Sequence, residues 1–245
     1  MTPDLALALL INRTTQEYGA HAPAYIAYRE TTHVTAPSLG RSQEIDRGVV
    51  ARNADGLAVM HDLPGGGQHI GPAFPIIPYF DPFSTYSFSY LANLKAIDIT
   101  LRRGAPSTFP IPPPDTGADV VVPYVSFWDV SYAPDSRADR LHLLIAPTPR
   151  CGNCMYPSDV VEDPQTHLPA HIELRDDASD MVIDLDYQIV DGYWIITHGT
   201  FTATEHVLFT TFKVFAVINY DNFDFPTAPP PEAAALPPPS PPPTP

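Results

Sequence analysis

The sequence has few positive charges: 13 Lys and Arg stand against 28 Asp and Glu, for a net charge of −15. A chain this acidic repels the phosphates of nucleic acids and the head groups of anionic membranes. Long apolar runs are also missing, and no stretch approaches the ~20 residues that a membrane-spanning helix needs. We therefore expect no nucleic-acid partner and no transmembrane segment.

Sequence signatures of catalysis are equally scarce. The Gly-x-Ser-x-Gly motif of a nucleophile elbow is absent, and the nine histidines are scattered without metal-ligand spacing. Gly65-Gly66-Gly67 is not followed by the Lys-Ser/Thr of a phosphate-binding loop, so it predicts an ordinary loop. We predict that the protein is not an enzyme and uses no cofactor.

Cysteine is limited to one pair, Cys151 and Cys154, in the sequence Cys-Gly-Asn-Cys. The pair is consistent with a local disulfide, with a redox site or with half of a metal site. A redox pair normally opens a helix, whereas a strand pattern follows here, and a structural zinc site needs a second pair of ligands. We favour the disulfide and predict no metal, with the redox and metal alternatives left open.

Proline, in contrast, is abundant, with 31 residues concentrated in loops and at the C-terminus. Proline lacks a backbone N–H and is excluded from central strands and helix interiors, so its abundance favours a loop-rich β fold. Residues 226–245 are dominated by proline and have almost no large apolar side chains. We predict a single domain over residues 1–225, followed by a disordered tail over 226–245 that is dispensable for folding.

The segment from Leu168 to Tyr220 has the clearest pattern and predicts four antiparallel strands. From Met181 to Val190, apolar and mostly polar residues alternate with the period of a half-buried strand. Asp191-Gly192 then separates two such runs, and Asp-Gly favours the type I′ turn of a two-residue hairpin. The last strand, predicted over 207–220, is apolar on both faces, so we expect it to be covered on both sides.

The turn fixes which side chains share a face, because directly opposed residues of a hairpin point the same way. The inner face then also includes His198 and Thr200, whereas Asp184 and Asp186 point to solvent. A lone inward histidine is more often a hydrogen-bonded core residue than a ligand or a base. The large apolar residues predicted on the inner face are Leu185, Tyr187, Trp194 and Ile196.

The N-terminus predicts an amphipathic helix. Thr2 suits the N-cap, Pro3 the first helical position and Gly19 the end of the helix. Helical spacing places Leu7, Leu10, Ile11, Thr14 and Tyr18 on one face. Further strands are predicted over 25–34, 43–52, 57–62, 94–101, 119–132 and 141–145, with a short helix over 83–91. Together these patterns predict a mainly β (α+β) fold: a curved antiparallel sheet with the helix on its concave side.

The order of these elements and the sequence of the turns resemble those of bacterial outer-membrane lipoprotein-sorting proteins, the LolA/LolB-like half-barrels. The matching positions are Asp163-Pro164-Gln165-Thr166, Leu168-Pro169 and Tyr220-Asp221-Asn222-Phe223, within residues 1–35 and 156–225. The resemblance implies a half-barrel wrapped around the N-terminal helix, with a cavity for acyl chains. It also implies a periplasmic, non-enzymatic protein. The N-terminus is not an intact signal peptide, so we expect either a cytosolic protein or a removed export signal, and the resemblance favours export.

Two functional classes follow from these observations. The first is a monomeric carrier of a lipid or another apolar ligand, which we expect to be lined by Leu7, Leu10, Ile11, Leu185, Tyr187, Trp194 and Ile196. The alternative is a non-enzymatic interaction or sensor module of the cell envelope, built on the same fold. Apolar side chains in the core stabilise a fold whether or not a ligand binds, so the residues alone do not separate the two classes.

Overall fold

A computed structural model of the chain describes residues 1–19, 22–53, 56–72, 128–149, 156–207 and 210–238. The Cys151–Cys154 pair, the helix predicted over 83–91 and the strand predicted over 94–101 lie outside these ranges. For the cysteines, the disulfide therefore stays a prediction.

The chain folds as one α-helix followed by eleven strands. The elements are α1 (Pro3–Gly19), β1 (Tyr25–Ala36), β2 (Arg41–Arg52), β3 (Leu57–Asp62), β4 (Gln68–Pro72), β5 (Trp128–Tyr132), β6 (His142–Pro147), β7 (Tyr156–Glu162), β8 (Pro169–Arg175), β9 (Ser179–Val190), β10 (Tyr193–Val207) and β11 (Thr210–Asp224). All eleven strands belong to one open sheet in the order β4-β3-β2-β1-β11-β10-β9-β8-β7-β6-β5, and the pairs with a defined register are antiparallel. The predicted class, a mainly β fold built on an antiparallel sheet, is confirmed.

The chain divides into two compact units, which we describe separately. The first unit contains residues 1–17, 128–149 and 156–184 of the described chain. The second unit contains residues 18–19, 22–53, 56–72, 185–207 and 210–238. The single domain predicted over 1–225 stays a prediction.

The first unit buries one face of its strands. A row of paired residues crosses these strands. Leu143 on β6 pairs with Val160 on β7, and Val160 pairs with Ile172 on β8. Ile172 in turn pairs with Ile183 on β9. All four side chains are almost completely buried.

Strand β9 belongs to the first unit up to Asp184 and to the second unit from Leu185. The predicted alternation is confirmed from Met181 to Asp186, because Met181, Ile183 and Leu185 are buried whereas Asp184 and Asp186 are exposed. It is wrong at Ile189, which is 62% exposed.

Helix α1 begins as its sequence predicts. The Thr2 hydroxyl oxygen accepts a hydrogen bond from the backbone N–H of Leu5 at 3.4 Å, as an N-cap residue does. Its buried face consists of the apolar residues Ala6, Leu7, Leu10 and Ile11 together with Thr14. Near the start of the helix, the Tyr132 hydroxyl on β5 donates to the carbonyl of Met1 at 3.0 Å.

The second unit buries the opposing rows of β1, β2 and β3 on one face. Ile26 pairs with Ala51 and Ala51 with Ala58, and one step along the strands Tyr28 pairs with Val49 and Val49 with Met60. All six side chains are buried. β11 continues this face on the other side of β1, because Thr32 pairs with the buried Ile218.

The hairpin between β9 and β10 turns at the predicted position. Asp191 and Gly192 both have positive φ, 51° and 88°, as the two central residues of a type I′ turn require. Glycine reaches this conformation without the steric penalty that a Cβ atom brings, and aspartate tolerates it better than most residues.

The predicted inner position on β10 is wrong for His198 and Thr200, whereas Ile196 is fully buried as predicted. Phe201 pairs with Ala216 on the buried face, whereas His198 pairs with Asn219 on the other face. The His198 Nδ1 lies 2.8 Å from the amide oxygen of Asn219, which is exposed. By alternation, Thr200 lies on the same side as His198, and both are half-buried.

The error has a physical reason in β10 itself. Ile195 and Ile196 are adjacent and point to opposite faces, yet both are fully buried. In a strand that is covered on both faces, apolar residues occur on both sides. The alternation of apolar and polar residues therefore does not identify which side of the strand faces the core.

The following strand also differs from prediction. β11 spans Thr210–Asp224 rather than 207–220, and Phe212 and Phe215 are each 37% exposed instead of covered.

The C-terminal segment is ordered over 226–238, so the predicted disorder is wrong for these residues. A 3-10 helix spans Pro231–Ala235, and the buried Ala233 and Leu236 pack against Val59 on β3. The Arg52 guanidinium on β2 donates to the carbonyl of Pro237 at 2.7 Å. The composition of the tail did not predict this contact, because the short Ala-rich sequence Pro231–Leu236 lies between proline-rich stretches.

Candidate functional site

The seven residues predicted to line a ligand site divide between the two units. Leu7, Leu10 and Ile11 are buried in the first unit, whereas the other four belong to the second. In the second unit Leu185 and Ile196 are buried, and Tyr187 and Trp194 are half-buried. The common lining formed by all seven stays a prediction.

A second set of residues, which the sequence did not single out, forms a polar cluster on the buried face of the second unit. We call it the Glu30 cluster: Glu30 and Thr32 on β1, Arg47 on β2, and Tyr28 and Tyr220 on β1 and β11. Glu30 pairs directly with Arg47 on one side and with Tyr220 on the other. Direct pairing puts these side chains on one face of three adjacent strands.

Glu30 is the centre of this cluster, with only 2% of its surface exposed. Arg47 Nη2 lies 2.9 Å from its Oε1 and donates to its Oε2 at 3.0 Å. The Thr32 hydroxyl donates to Oε1 at 2.8 Å. A buried carboxylate is costly unless it is paired and hydrogen-bonded, and these contacts meet that requirement.

The two tyrosines of the cluster differ from Glu30 in their hydrogen bonding. Their rings lie edge to face with centroids 5.4 Å apart, an arrangement that aromatic pairs prefer. Both hydroxyl groups are buried, and neither has a hydrogen-bond partner within the ranges that the structure describes. Tyr28 and Tyr220 therefore present two unused hydrogen-bonding groups beside a carboxylate–guanidinium pair.

Burial raises the pKa of both tyrosines well above the ordinary value, because it disfavours the phenolate. The negative charge of Glu30 raises both pKa values further, and the positive charge of Arg47 partly opposes this. The hydroxyls of Tyr28 and Tyr220 thus remain protonated donors at neutral pH.

These pKa shifts predict an alkaline loss of stability. Unfolded tyrosines ionise near pH 10, whereas folded Tyr28 and Tyr220 keep their protons above that pH, so the folded state binds more protons. The free energy of unfolding should fall as the pH rises above about 10, measured by urea denaturation at each pH. The Tyr28→Phe/Tyr220→Phe double variant should lose less stability over the same range. Equal losses in the two proteins would contradict this prediction.

A signal for this cluster was present in the sequence. β1 alternates so that Ile26, Tyr28, Glu30 and Thr32 lie on one side, and this is the buried side. A glutamate in the same alternating series as apolar residues is expected to be buried, and a buried charge needs a partner. The partner Arg47 could not be found in the same way, because it depends on the register between β1 and β2.

The first unit has its own buried carboxylate, Glu162, at the end of β7. Its Oε1 accepts a hydrogen bond from Arg13 Nη1 at 2.9 Å and lies 2.9 Å from His167 Nδ1. Its Oε2 accepts from the backbone N–H of Leu141 at 3.1 Å. Glu162 therefore connects helix α1 to the end of β7.

The turn that follows Glu162 is the one that carries part of the family resemblance. Asp163 Oδ1 accepts from the backbone N–H groups of Gln165 and Thr166, at 2.9 and 2.8 Å. The Thr166 hydroxyl oxygen accepts from the N–H of Leu168 at 3.0 Å, and β8 begins at Pro169. The Asp-x-x-Thr pattern is thus explained by local side-chain-to-backbone hydrogen bonds.

We predict that Glu162→Gln lowers the free energy of unfolding by about 1–3 kcal/mol, the range for removing a charged partner from a buried hydrogen-bond network. The amide is neutral and carries hydrogens that face the donors of Arg13. Urea denaturation is the measurement. Glu44→Gln, at an exposed site on β2, is the control and should leave the free energy of unfolding nearly unchanged. Similar values for the two variants would contradict the prediction.

Histidine–carboxylate pairs also occur on the first unit. His142 Nδ1 lies 2.6 Å from Asp135 Oδ1, and its Nε2 lies 3.1 Å from Asp159 Oδ1.

Across the ranges described, no group of three or more His, Cys, Asp or Glu side chains has an arrangement that could hold a metal ion. The same ranges contain no helix with the length and hydropathy needed to span a membrane.

No protein-family model and no curated protein matches this chain. Among solved structures, it is similar to a DUF1329 family protein from Desulfovibrio piger, with 12% identity and a TM-score of 0.42, over 92% of this chain and 94% of that chain. It is also similar to a putative outer membrane lipoprotein-sorting protein domain from Vibrio parahaemolyticus, with 14% identity and a TM-score of 0.36, over 88% of this chain and 90% of that chain.

Proposed function

We propose that this protein binds an apolar or amphiphilic ligand, such as a lipid, on the buried face of the second unit and carries it without chemical change. The observation that carries the proposal is the composition of that face. Apolar side chains of β1, β2, β3 and β11 surround the Glu30 cluster, so one surface offers both apolar contacts and hydrogen-bonding groups. Small-molecule sites typically combine a mostly apolar lining with a few fixed polar groups.

The small residues of this face also support the proposal. Ala51 pairs with Ile26 on one side and with Ala58 on the other, and Ala216 lies two positions from Ile218 on β11. Small side chains extend less from a sheet than the leucines and isoleucines that usually fill a core. In this proposal the ligand chain packs against these alanines, which are themselves buried.

The carrier role is tested by titrating the purified protein with a fluorescent fatty-acyl probe, together with native mass spectrometry for a co-purified lipid. We expect saturable binding that Ala216→Leu weakens, because the larger side chain occupies ligand space. Ala146→Leu, at an exposed position on β6, is the matched control and should bind as the wild type does. Folded wild-type protein without saturable binding would contradict the proposal.

We further propose that the carrier is exported to the periplasm and has no enzymatic activity, in line with the resemblance of its sequence to lipoprotein-sorting proteins. Fractionation of cells that express the full-length protein with a C-terminal tag tests the location. Recovery of the protein in the cytoplasm would contradict export and would leave the binding proposal intact.

One observation favours the alternative function, an interaction or sensor module. Ile189, near the turn between β9 and β10, is 62% exposed, and Phe212 and Phe215 on β11 are also exposed. A contiguous exposed apolar patch marks an interaction surface, so this alternative requires that at least two of these residues share one patch. A Phe215→Ser variant that still binds the acyl probe but loses a cellular partner would support this second function.

A further inference from the structure

The unpartnered tyrosine hydroxyls of the Glu30 cluster require an explanation. A buried hydroxyl without a hydrogen bond is destabilising, and native proteins keep few such groups. Here two of them, on Tyr28 and Tyr220, occur in one cluster on adjacent strands. Neither hydroxyl has a partner among the described residues, and both side chains are buried, so a ligand that inserts into this face would give each hydroxyl a hydrogen bond.

We infer that the hydroxyls of Tyr28 and Tyr220 bind the uncharged polar end of the ligand, a hydroxyl, carbonyl or ester oxygen. This inference rests on the proposed function and names the class of ligand that the site takes. A neutral phenol donates one hydrogen bond and also accepts, so it can pair with any of these three groups.

The charges of the cluster select against an ionised ligand. Glu30 and Arg47 neutralise each other, and the Thr32 hydroxyl completes the contacts of the carboxylate. An anionic head group would lie near the negative charge of Glu30 and would compete with it for Arg47. A cationic head group would meet Arg47, so a group of either sign would lose its hydration without gaining a free counter-charge.

The surroundings of the cluster select an apolar chain for the rest of the ligand. Val49 and Met60 continue the row of Tyr28, and Ile218 is two residues from Tyr220 on the same face. All three are buried. The ligand class that fits both parts is an uncharged amphiphile, such as a fatty alcohol or a monoacylglycerol, rather than a free fatty acid or a phospholipid.

The experiment compares four ligands of equal chain length by isothermal titration calorimetry: a monoacylglycerol, a fatty alcohol, a free fatty acid above its pKa, and an alkyl amine. The wild type should bind the two uncharged ligands more tightly than the two ions. Tyr28→Phe and Tyr220→Phe should each weaken binding of the uncharged ligands about tenfold, the equivalent of one lost hydrogen bond. Tyr25→Phe, whose ring packs against the C-terminal segment instead, should bind as the wild type does.

Stability measurements on the same variants separate a ligand role from a structural one. Removal of an unpartnered buried hydroxyl should leave the ligand-free protein equally stable or more stable. If the hydroxyls only hold an internal water molecule, both Phe variants will lose stability and keep their affinity, which would overturn the inference. A wild type that prefers the ionised ligands would also overturn it. A wild type that binds none of the four ligands would instead contradict the proposed function itself.

Discussion

Replacing Arg47 with Met should destabilise the protein by about 3–5 kcal/mol, the range for removing one partner of a buried ion pair. Arg47 is mostly buried and Glu30 almost completely so, and their atoms approach within 2.9 Å. Without the guanidinium, the Glu30 carboxylate keeps the Thr32 hydroxyl but has lost the opposite charge that offsets its burial. The free energy of unfolding from urea denaturation is the measurement.

The same two strands provide a matched control. Arg29 on β1 donates two hydrogen bonds to the carboxylate of Asp46 on β2, at 2.8 and 2.7 Å, but this pair is exposed. Arg29→Met should therefore have little effect, because solvent and salt screen an exposed pair. Equal effects of Arg29→Met and Arg47→Met would contradict the special role of the buried pair.

A double variant tests the cause of the loss. In Glu30→Leu/Arg47→Met neither charge remains, so no uncompensated ion is buried. We expect it to regain most of the stability that Arg47→Met loses, as happens when a buried ion pair is replaced as a whole by apolar residues. A double variant less stable than the single variant would show that packing, rather than burial of charge, explains the effect.

The sequence predicted those parts of the fold that depend on local pattern. The cap and buried face of α1, the alternation of β9 and the turn at Asp191-Gly192 each involve residues close together in the chain. Their signals are therefore contained in short windows of sequence. The mainly β class followed from these local elements and from the distribution of proline.

The features that the sequence did not predict depend on contacts between distant parts of the chain. The partner of Glu30 is set by strand register, and the core side of β10 is ambiguous because Ile195 and Ile196 are both buried. The candidate site was missed for the same reason. The alternation within β1 indicates that Glu30 is on the buried side of the strand. That Arg47 and Tyr220 lie beside Glu30 depends on how β2, β1 and β11 pair.

The C-terminal segment is the clearest example of a long-range contact hidden by composition, and its removal should have the second large effect. A truncation that ends at Phe225 should lower the free energy of unfolding by about 3 kcal/mol. Burial of a leucine contributes about 1.5–3 kcal/mol, and loss of the contact also exposes Val59 and removes a hydrogen bond from Arg52. For a chain of this size, the melting temperature should fall by roughly 10 °C.

Two controls assign this effect to the contact rather than to chain length. A truncation that ends at Pro238 keeps Ala233, Leu236 and the carbonyl of Pro237, and it should melt as the full chain does. Ala233→Asp places a charge in the buried contact, whereas Ala234→Asp places the same charge on the exposed side of the same 3-10 helix. Only Ala233→Asp should reproduce the loss, because an unpaired carboxylate is costly where it is buried. If the chain that ends at Phe225 melted at the temperature of the full-length protein, the segment would be dispensable for folding.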